Sequence, residues 1–338
     1  MIAKPLADRI GVAAVAKRAG VSTATVSNTL NRPHMVSATT QARVFAAMEE
    51  LDFVPNGSAS ALRRGRGALI GLVVPDIVNP FYAAIAKAVA THSRERGYVM
   101  ALCVSDDDGD TELDHFRMLA EQRAAGAIVV PLHADTRRLD RLRLVGAHPV
   151  LIDRKWPVDD GCSVMIDDVE GGKLAVEHLL KGGAQRVGLV NGPHEIPQCA
   201  DREAGARSAI RDAGLADDAL TVIEVAEMTI GEGIGAATEL RRQGVEHVFG
   251  TNDQLAIGVM RGFAELGLTM PGDVAVVGYG DLALATQSLV PLTSVRQPKE
   301  LMGRTAVELL VAEIEGTAGH EHQASLLQPE LVVRESAR

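Results

Sequence analysis

The chain of 338 residues is predicted to fold as a small all-α helix-turn-helix head followed by an α/β body of two doubly wound parallel-sheet lobes. Three observations predict this. Helical periodicity punctuated by small residues fills the stretch from Val12 to Leu51, whereas from residue 68 onward short apolar strands alternate with helical segments. The charge divides at the same place. Residues 1–67 hold nine Lys or Arg against four acids, a net of +5, and the remainder holds 25 basic and 40 acidic residues, a net of -15. Phosphate attraction is screened beyond roughly 10 Å at ordinary salt, so a basic head can act locally while an acidic body keeps the molecule soluble.

In the head, Val12, Val15, Ala16 and Ala19 make one apolar face, and Gly20 permits a sharp turn before Val21. Ser22 caps a second helix, Thr23 to Leu30, that buries Val26 and Leu30 and turns Thr23, Ala24, Ser27 and Asn28 outward. Short polar and methyl-bearing side chains at the start of such a helix approach base edges closely; Thr and Ala suit a thymine methyl, and Asn suits adenine. A third helix, capped by Ser37 and running to about Leu51, buries Val44, Ala47 and Met48. The stretch "DFVPNGSASALRRGRG" then sets Leu62 beside Arg63, Arg64 and Arg66, after the capping residue Asn56. As a short helix it places one large apolar side chain in a cationic cluster, the arrangement that wedges a minor groove open.

The run from "VAKRAGVSTATVSNTLN" through "VPNGSASALRRGRG" to "VNPFY" resembles the lac repressor (LacI) family of bacterial transcription regulators, and the resemblance extends over essentially the whole chain. It implies that Thr23, Ala24 and Asn28 sit at base-reading positions, and Ala59 and Leu62 on a hinge helix at the minor groove. It also implies a domain order of 1–54 for the DNA-binding head, 55–67 for the hinge helix and linker, and 68–338 for effector binding and dimerisation. Two departures from the family pattern involve three residues. Gly11 and Ala14 stand where relatives carry Thr and Asp, which weakens the cap of the first helix, and Asn28 replaces the more usual Arg, so the operator sequence does not transfer.

The body strands are "ALIGLVVP", "YVMALCVS", "GAIVVP", "HPVLID", "SVMID", "RVGLVNG", "LTVIEVA", "HVFGTND" and "VAVVGYGD", too many for one comfortable doubly wound sheet. The resemblance implies a periplasmic-binding-protein-like body that crosses between lobes near Ile166, Ser294 and Leu326. Lobe 1 is then about 68–166 and 295–325, and lobe 2 about 167–294 and 326–338. Ligands of open α/β sheets sit beyond the carboxyl ends of strands, where this chain carries Asp153 and Arg154, Asn252 and Asp253, and Asp281, with Arg202 following "LVNGP". Carboxylates, an amide and a guanidinium hydrogen-bond to vicinal sugar hydroxyls, and Phe81 of "NPFY" can lie against the apolar face of a ring. Carried over residue by residue, Phe81, Asp153, Gln198, Arg202, Asn252 and Asp281 fall on or beside effector-contact positions. Gly280 stands where many relatives have the first of two Asp, and Met228 where they often stack an aromatic ring.

Other classes fit less well. No G-x-S-x-G or G-x-x-x-x-G-K-[ST] occurs, so a sugar-modifying or phosphoryl-transferring enzyme lacks its usual motif, and no cofactor is expected. "SDDDGD" lacks the Glu that closes a calcium loop. Cys103, Cys162 and Cys199 are far apart without a CxxC pair or a His at metal-ligand spacing, and His320 and His322 are given no metal role. No long apolar run and no signal sequence is present, so a cytoplasmic location without membrane contact is expected; a transporter's solute-binding protein would leave the basic head unexplained. The expected partners are double-stranded operator DNA, a sugar or sugar-derived effector, and a second copy of the chain in a homodimer rather than a dimer of dimers, since no leucine heptad follows "ELMGRTAVELLVAEIEGT" to join two dimers.

Overall fold

A computed structural model of the chain describes residues 11–53, 67–132, 136–316 and 320–338. The chain divides into two compact units, Met1–Ala68 and Leu69–Arg338. The expected hinge positions Asn56, Ala59 and Leu62 lie outside the described residues.

The first unit is built on three helices, α1 (Val12–Ala19), α2 (Thr23–Asn31) and α3 (Ala38–Glu50). Ser22 Oγ accepts from the Thr25 amide at 3.0 Å and Ser37 Oγ from the Thr40 amide at 3.3 Å, so both expected caps satisfy an otherwise orphaned donor. Gly11 gives α1 no side-chain acceptor. Gly20 takes a left-handed φ of 64° at the end of α1, and the Val21 amide closes on Ala16 O at 3.0 Å. Arg43 of α3 donates to the carbonyls of Ala19 and Gly20, placing a cation on the negative end of α1. The small core holds Val15, Ala16, Ala19, Val26, Val44 and Ala47, with Leu30 and Met48 half-buried against it. Val12 was expected on that face but is 38% exposed, because the first turn of α1 overhangs the core.

The second unit carries two six-stranded sheets. In chain order its elements begin with β1 (Leu69–Val74), α4 (Pro80–Glu95), β2 (Val99–Val104), α5 (Gly109–Glu121), β3 (Gly126–Val129), α6 (Asp140–Leu144), β4 (His148–Ile152) and β5 (Cys162–Ile166). The chain then continues through α7 (Asp168–Lys181), β6 (Val187–Asn191), α8 (Pro197–Asp212), β7 (Leu220–Glu224), α9 (Ile230–Arg242), β8 (His247–Gly250), α10 (Asp253–Glu265), β9 (Ala275–Gly280), α11 (Ala283–Gln287) and β10 (Thr293–Arg296). It ends with α12 (Lys299–Glu315), β11 (Ala324–Leu327) and β12 (Glu330–Val332). The sheet orders are β11-β5-β4-β3-β1-β2 and β12-β10-β9-β8-β6-β7. Every pairing is parallel except β10 with β12. Buried aliphatic runs such as Ile70 to Val74 and Val187 to Val190 are what a sheet covered on both faces requires.

The chain passes between sheets three times, at Asp167, at Gln297–Pro298 and at Gln328–Pro329. The second passage falls beyond the expected Ser294, because Thr293–Arg296 pairs in parallel with Val277–Gly280 and belongs wholly to the second sheet. Leu326 lies inside β11 of the first sheet, paired with Met165, so the third passage follows it. In the second lobe, a Cβ on Gly172 would stand 2.0 Å from Arg202 O and one on Gly205 1.9 Å from Val169 O, so α7 and α8 touch backbone to backbone only because both positions are glycine. No helix among the described residues is long and apolar enough to cross a membrane.

Candidate functional site

Two groups of candidate residues lie in the two units. On α2, Thr23 and Ala24 are exposed and Ser27 and Asn28 half-buried, while Val26 points into the core. The outward face is therefore short, polar and methyl-bearing at its first turn, the end that a recognition helix presents to base edges.

In the second unit the carboxyl ends of β3, β4 and β5 meet the first turns of α7 and α8 around a cleft of about 280 Å³. Its walls include Asp153, Arg154, Asp168, Gln198 and Asp201 beside the apolar Leu151. Gln198 Nε2 donates to the backbone carbonyl of Asp153 at 2.6 Å, a hydrogen bond from the second lobe to the first. Lys155 and Asp201 face each other at 4.0 Å across the same gap. Asp153 ends its strand with a φ of 63°. Burial, and then the negative charge of Asp168, push its carboxyl up to about 7, against the pull of Arg202 and Arg154.

Arg202, on α8, is 7% exposed. Its Nε donates to Asp168 Oδ1 at 2.8 Å, its Nη1 to Thr251 O at 2.8 Å, and its guanidinium lies 3.9 Å from the centre of the Tyr279 ring. Tyr279 Oη completes the triangle by donating to Asp168 Oδ1 at 2.6 Å. Burial disfavours the charge of Arg202, yet Asp168, together with Tyr279, Cys199 and Asp153, outweighs that and holds the guanidinium pKa above its ordinary value. Arg202 therefore stands behind the cleft-lining Asp168, already paired with that acid and stacked on an aromatic ring.

The remaining expected residues are placed differently. Phe81 follows the cap Asn79, whose side chain accepts from its amide at 3.0 Å, and its ring is packed in the core of the first lobe at 8% exposure. The neighbouring ring, Tyr82, lies edge-on to it at 5.2 Å. Burial and then the charge of Asp153 push the Tyr82 phenol above its ordinary range, so Tyr82 is the aromatic group electrostatically tied to the cleft. Asn252 caps α10 by accepting from the Leu255 amide at 2.7 Å and donates to Met228 O at 3.0 Å. Asp281 does not join the cleft. Its carboxylate is held by Arg296 at 2.7 Å and Arg334 at 2.5 Å, it has a φ of 47°, and it lines a separate cavity of about 660 Å³ with Lys87, His92 and Lys299. The strand-end rule located its backbone, but the two arginines turned its side chain away. Gly280 beside it has a φ of 126°, a conformation that strains any residue with a Cβ.

Asp168, Tyr82 and Tyr279 were missed by sequence reading. Asp168 stood hidden in the pair "DD" after a strand, where one acid caps the helix and the other is buried; Asp167 is the cap, accepting from the Glu170 amide at 2.9 Å. The separation of Cys162 from any histidine also proved local to the sequence only. His320 Nε2 lies 3.5 Å from Cys162 Sγ, because β5 and β11 pair side by side.

Comparison with known proteins gives these placements a context. Residues 13–56 match the bacterial regulatory proteins of the lacI family, and residues 176–337 match the periplasmic binding protein-like domain. The chain is 31% identical over 328 residues to the HTH-type transcriptional repressor PurR of Aliivibrio fischeri (strain MJ11), covering 95% of this chain and 96% of that protein. A complex of the transcriptional regulator CelR with cellobiose superposes with a TM-score of 0.72 and 32% identity, over 97% of this chain and 100% of the other. The lac repressor dimer bound to operator and the anti-inducer ONPF superposes with a TM-score of 0.85 and 26% identity, over 98% and 99%. A helical head, two parallel-sheet lobes and similarity along nearly the whole length agree, and the chain belongs to the lacI family of bacterial DNA-binding transcriptional regulators.

Proposed function

We propose that the protein is a homodimeric repressor that reads a specific operator with the outward face of α2, and that a sugar or sugar-derived effector bound between the lobes sets its affinity for DNA. Thr23, Ala24, Ser27 and Asn28 read bases in the major groove, and Asn56, Ala59 and Leu62 serve the minor groove. In the cleft, the Asp153 carboxylate and the Gln198 amide hold hydroxyls, Arg202 supplies donors from behind Asp168, and Tyr82 offers the ring face that the sequence had assigned to Phe81. Asn252 contributes as a rim group beside Thr251, whereas Asp281 acts as a strut of the second lobe. The CelR complex with cellobiose supports the sugar class, and the lac repressor dimer on its operator supports the assembly.

The observation that carries this reading is the hydrogen bond from Gln198 to the Asp153 carbonyl. It joins the lobes between two residues that line the cleft, so a ligand that takes the Gln198 amide replaces it and couples occupancy to lobe separation. The test is to incubate the full chain with fragmented genomic DNA, sequence what is retained, and repeat with a panel of mono- and disaccharides. An enriched, two-fold symmetric sequence whose retention changes with one sugar is the expected result. Fragments retained uniformly, or retention indifferent to every sugar while a non-sugar metabolite changes it, would overturn the operator or the sugar assignment respectively.

A further inference from the structure

At the amino-terminal edge of the first sheet, far along the strands from the cleft, Cys162 opens β5, Glu313 lies in the last turn of α12, and His320 precedes β11. Their Sγ, carboxylate oxygen and ring nitrogen lie within 4.8 Å of one another. Cys162 Sγ to His320 Nε2 is 3.5 Å, and His320 Nε2 to Glu313 Oε1 is 3.8 Å. His322 brings its Nε2 to 3.9 Å from the same Oε1. Glu313 is 7% exposed, and its Oε1 points into this cluster with no donor at full hydrogen-bonding geometry among the described residues, the weak thiol of Cys162 being the donor that approaches it. A buried carboxylate oxygen left with only a thiol donor recovers little of the hydration it had in the unfolded chain. Something must compensate it.

We propose that Cys162, Glu313, His320 and His322 form a site for a divalent cation of the zinc class. The donor set decides the class: a thiolate, two imidazoles and a carboxylate suit a borderline-soft, tetrahedral ion, whereas calcium and magnesium require oxygen alone. Two anionic ligands neutralise the double charge. Zinc bonds of about 2.0–2.3 Å in a tetrahedron set ligand atoms roughly 3.3–3.7 Å apart. The 3.5 and 3.8 Å contacts put Cys162, His320 and Glu313 close to that spacing, and His322, 3.9 Å from Glu313 Oε1, swings in to complete the tetrahedron. The support around the ligands is also of the required kind. His322 Nδ1 lies 3.2 Å from Val158 O, a bond in which the ring nitrogen donates, so the Nε2 lone pair faces the cluster. His148 Nδ1, 3.3 Å from Glu313 Oε2, steadies the other oxygen of the carboxylate. His322, with a side chain 38% exposed, gives an ion its way in. Bound there, the cation ties the segment entering β11 to β5 and α12, and so fastens the late-returning strand to the first lobe.

The test uses the full chain stripped with chelator and titrated with cobalt(II), which replaces zinc and reports its ligands. The expected result is one ion per chain, a thiolate-to-cobalt charge-transfer band, visible bands of tetrahedral intensity, and a rise in melting temperature on loading. Cys162→Ser removes the charge-transfer band, Cys103→Ser keeps it, and His320→Ala weakens cobalt affinity by more than about a hundredfold, beyond the loss from removing a hydrogen-bonding support. His320 lies in a loop, so its variant decides the question even where Cys162→Ser does not fold. Absence of saturable binding, a spectrum without the thiolate band, or a band that persists in Cys162→Ser overturns the site and leaves a thiol–imidazole hydrogen bond as the reason for the contact.

Discussion

The outward face of α2 and the buried polar cluster behind the cleft wall stand in opposite relation to the fold. Thr23 and Ala24 are exposed and contribute nothing to the head's core, which closes on Val15, Val26 and Val44 behind them. Arg202, Asp168 and Tyr279 are buried, bonded to one another, and part of what holds the second lobe together. On the helix, recognition and stability can be changed separately. In the cleft they cannot.

The largest effect expected is therefore at Arg202. Arg202→Ala leaves the Asp168 carboxylate buried without its cation and should lower stability by about 3–5 kcal/mol, read by chemical denaturation. A loss below about 1 kcal/mol would put Arg202 in the same class as the residues of α2 and erase the contrast. Loss of sugar response in that variant is uninformative by itself, so Gln198→Ala is the cleaner probe of binding. At Asn28, Asn28→Ala should cost about 1–3 kcal/mol of operator affinity by fluorescence anisotropy, the worth of one base contact, with stability changed by less than about 0.5 kcal/mol. Parallel losses of both would show that α2 does not separate recognition from folding.

The cleft also predicts a pH response that α2 does not. Asp153 titrates near 7, and its ionised form accepts hydroxyl hydrogens. Effector affinity should rise as the pH climbs through 7 and level off above it, and below 7 fall by up to about tenfold per unit, as expected for one proton. Asp153→Asn should flatten the profile in calorimetric titrations. A wild-type profile already flat between about 5.5 and 8 would remove Asp153 from the binding surface. The smallest effect is in the head, where Gly11 caps α1 without a side-chain acceptor. Gly11→Ser should add a few tenths of a kcal/mol to thermal stability and leave DNA recognition unchanged.

How much of this was legible in sequence follows the range of the interaction. The caps Ser22 and Ser37 and the turn at Gly20 are set by neighbours within a few residues, and periodicity places them. Strands β1 to β9 are mostly apolar runs of the kind that a covered sheet demands. Strands β10 and β12 are short and partly polar, and β11 carries only "ASLL", so they read as connections. The cleft required more. The strand-end rule brought Asp153 to the cleft wall but said nothing of side-chain direction, which for Asp281 is set by Arg296 and by Arg334, 53 residues away. Arg202 and Asp168 are 34 residues apart, and Cys162 and His320 are 158 apart. No local pattern marks such pairs. Only Tyr82 was within reach, since it adjoins Phe81 in "NPFY" and lies half-buried at the edge of the same core.

Gly172 and Gly205, which let α7 and α8 lie backbone against backbone, have a mechanical consequence. The two helices cannot slide by a fraction of a turn without colliding, and Gln198, Arg202 and Asp168 all ride on them. A tug on the Gln198 amide is therefore not absorbed nearby. Such a tug is expected to reach the passages at residue 167, residues 297–298 and residues 328–329, which would serve the stiff second lobe as a pivot.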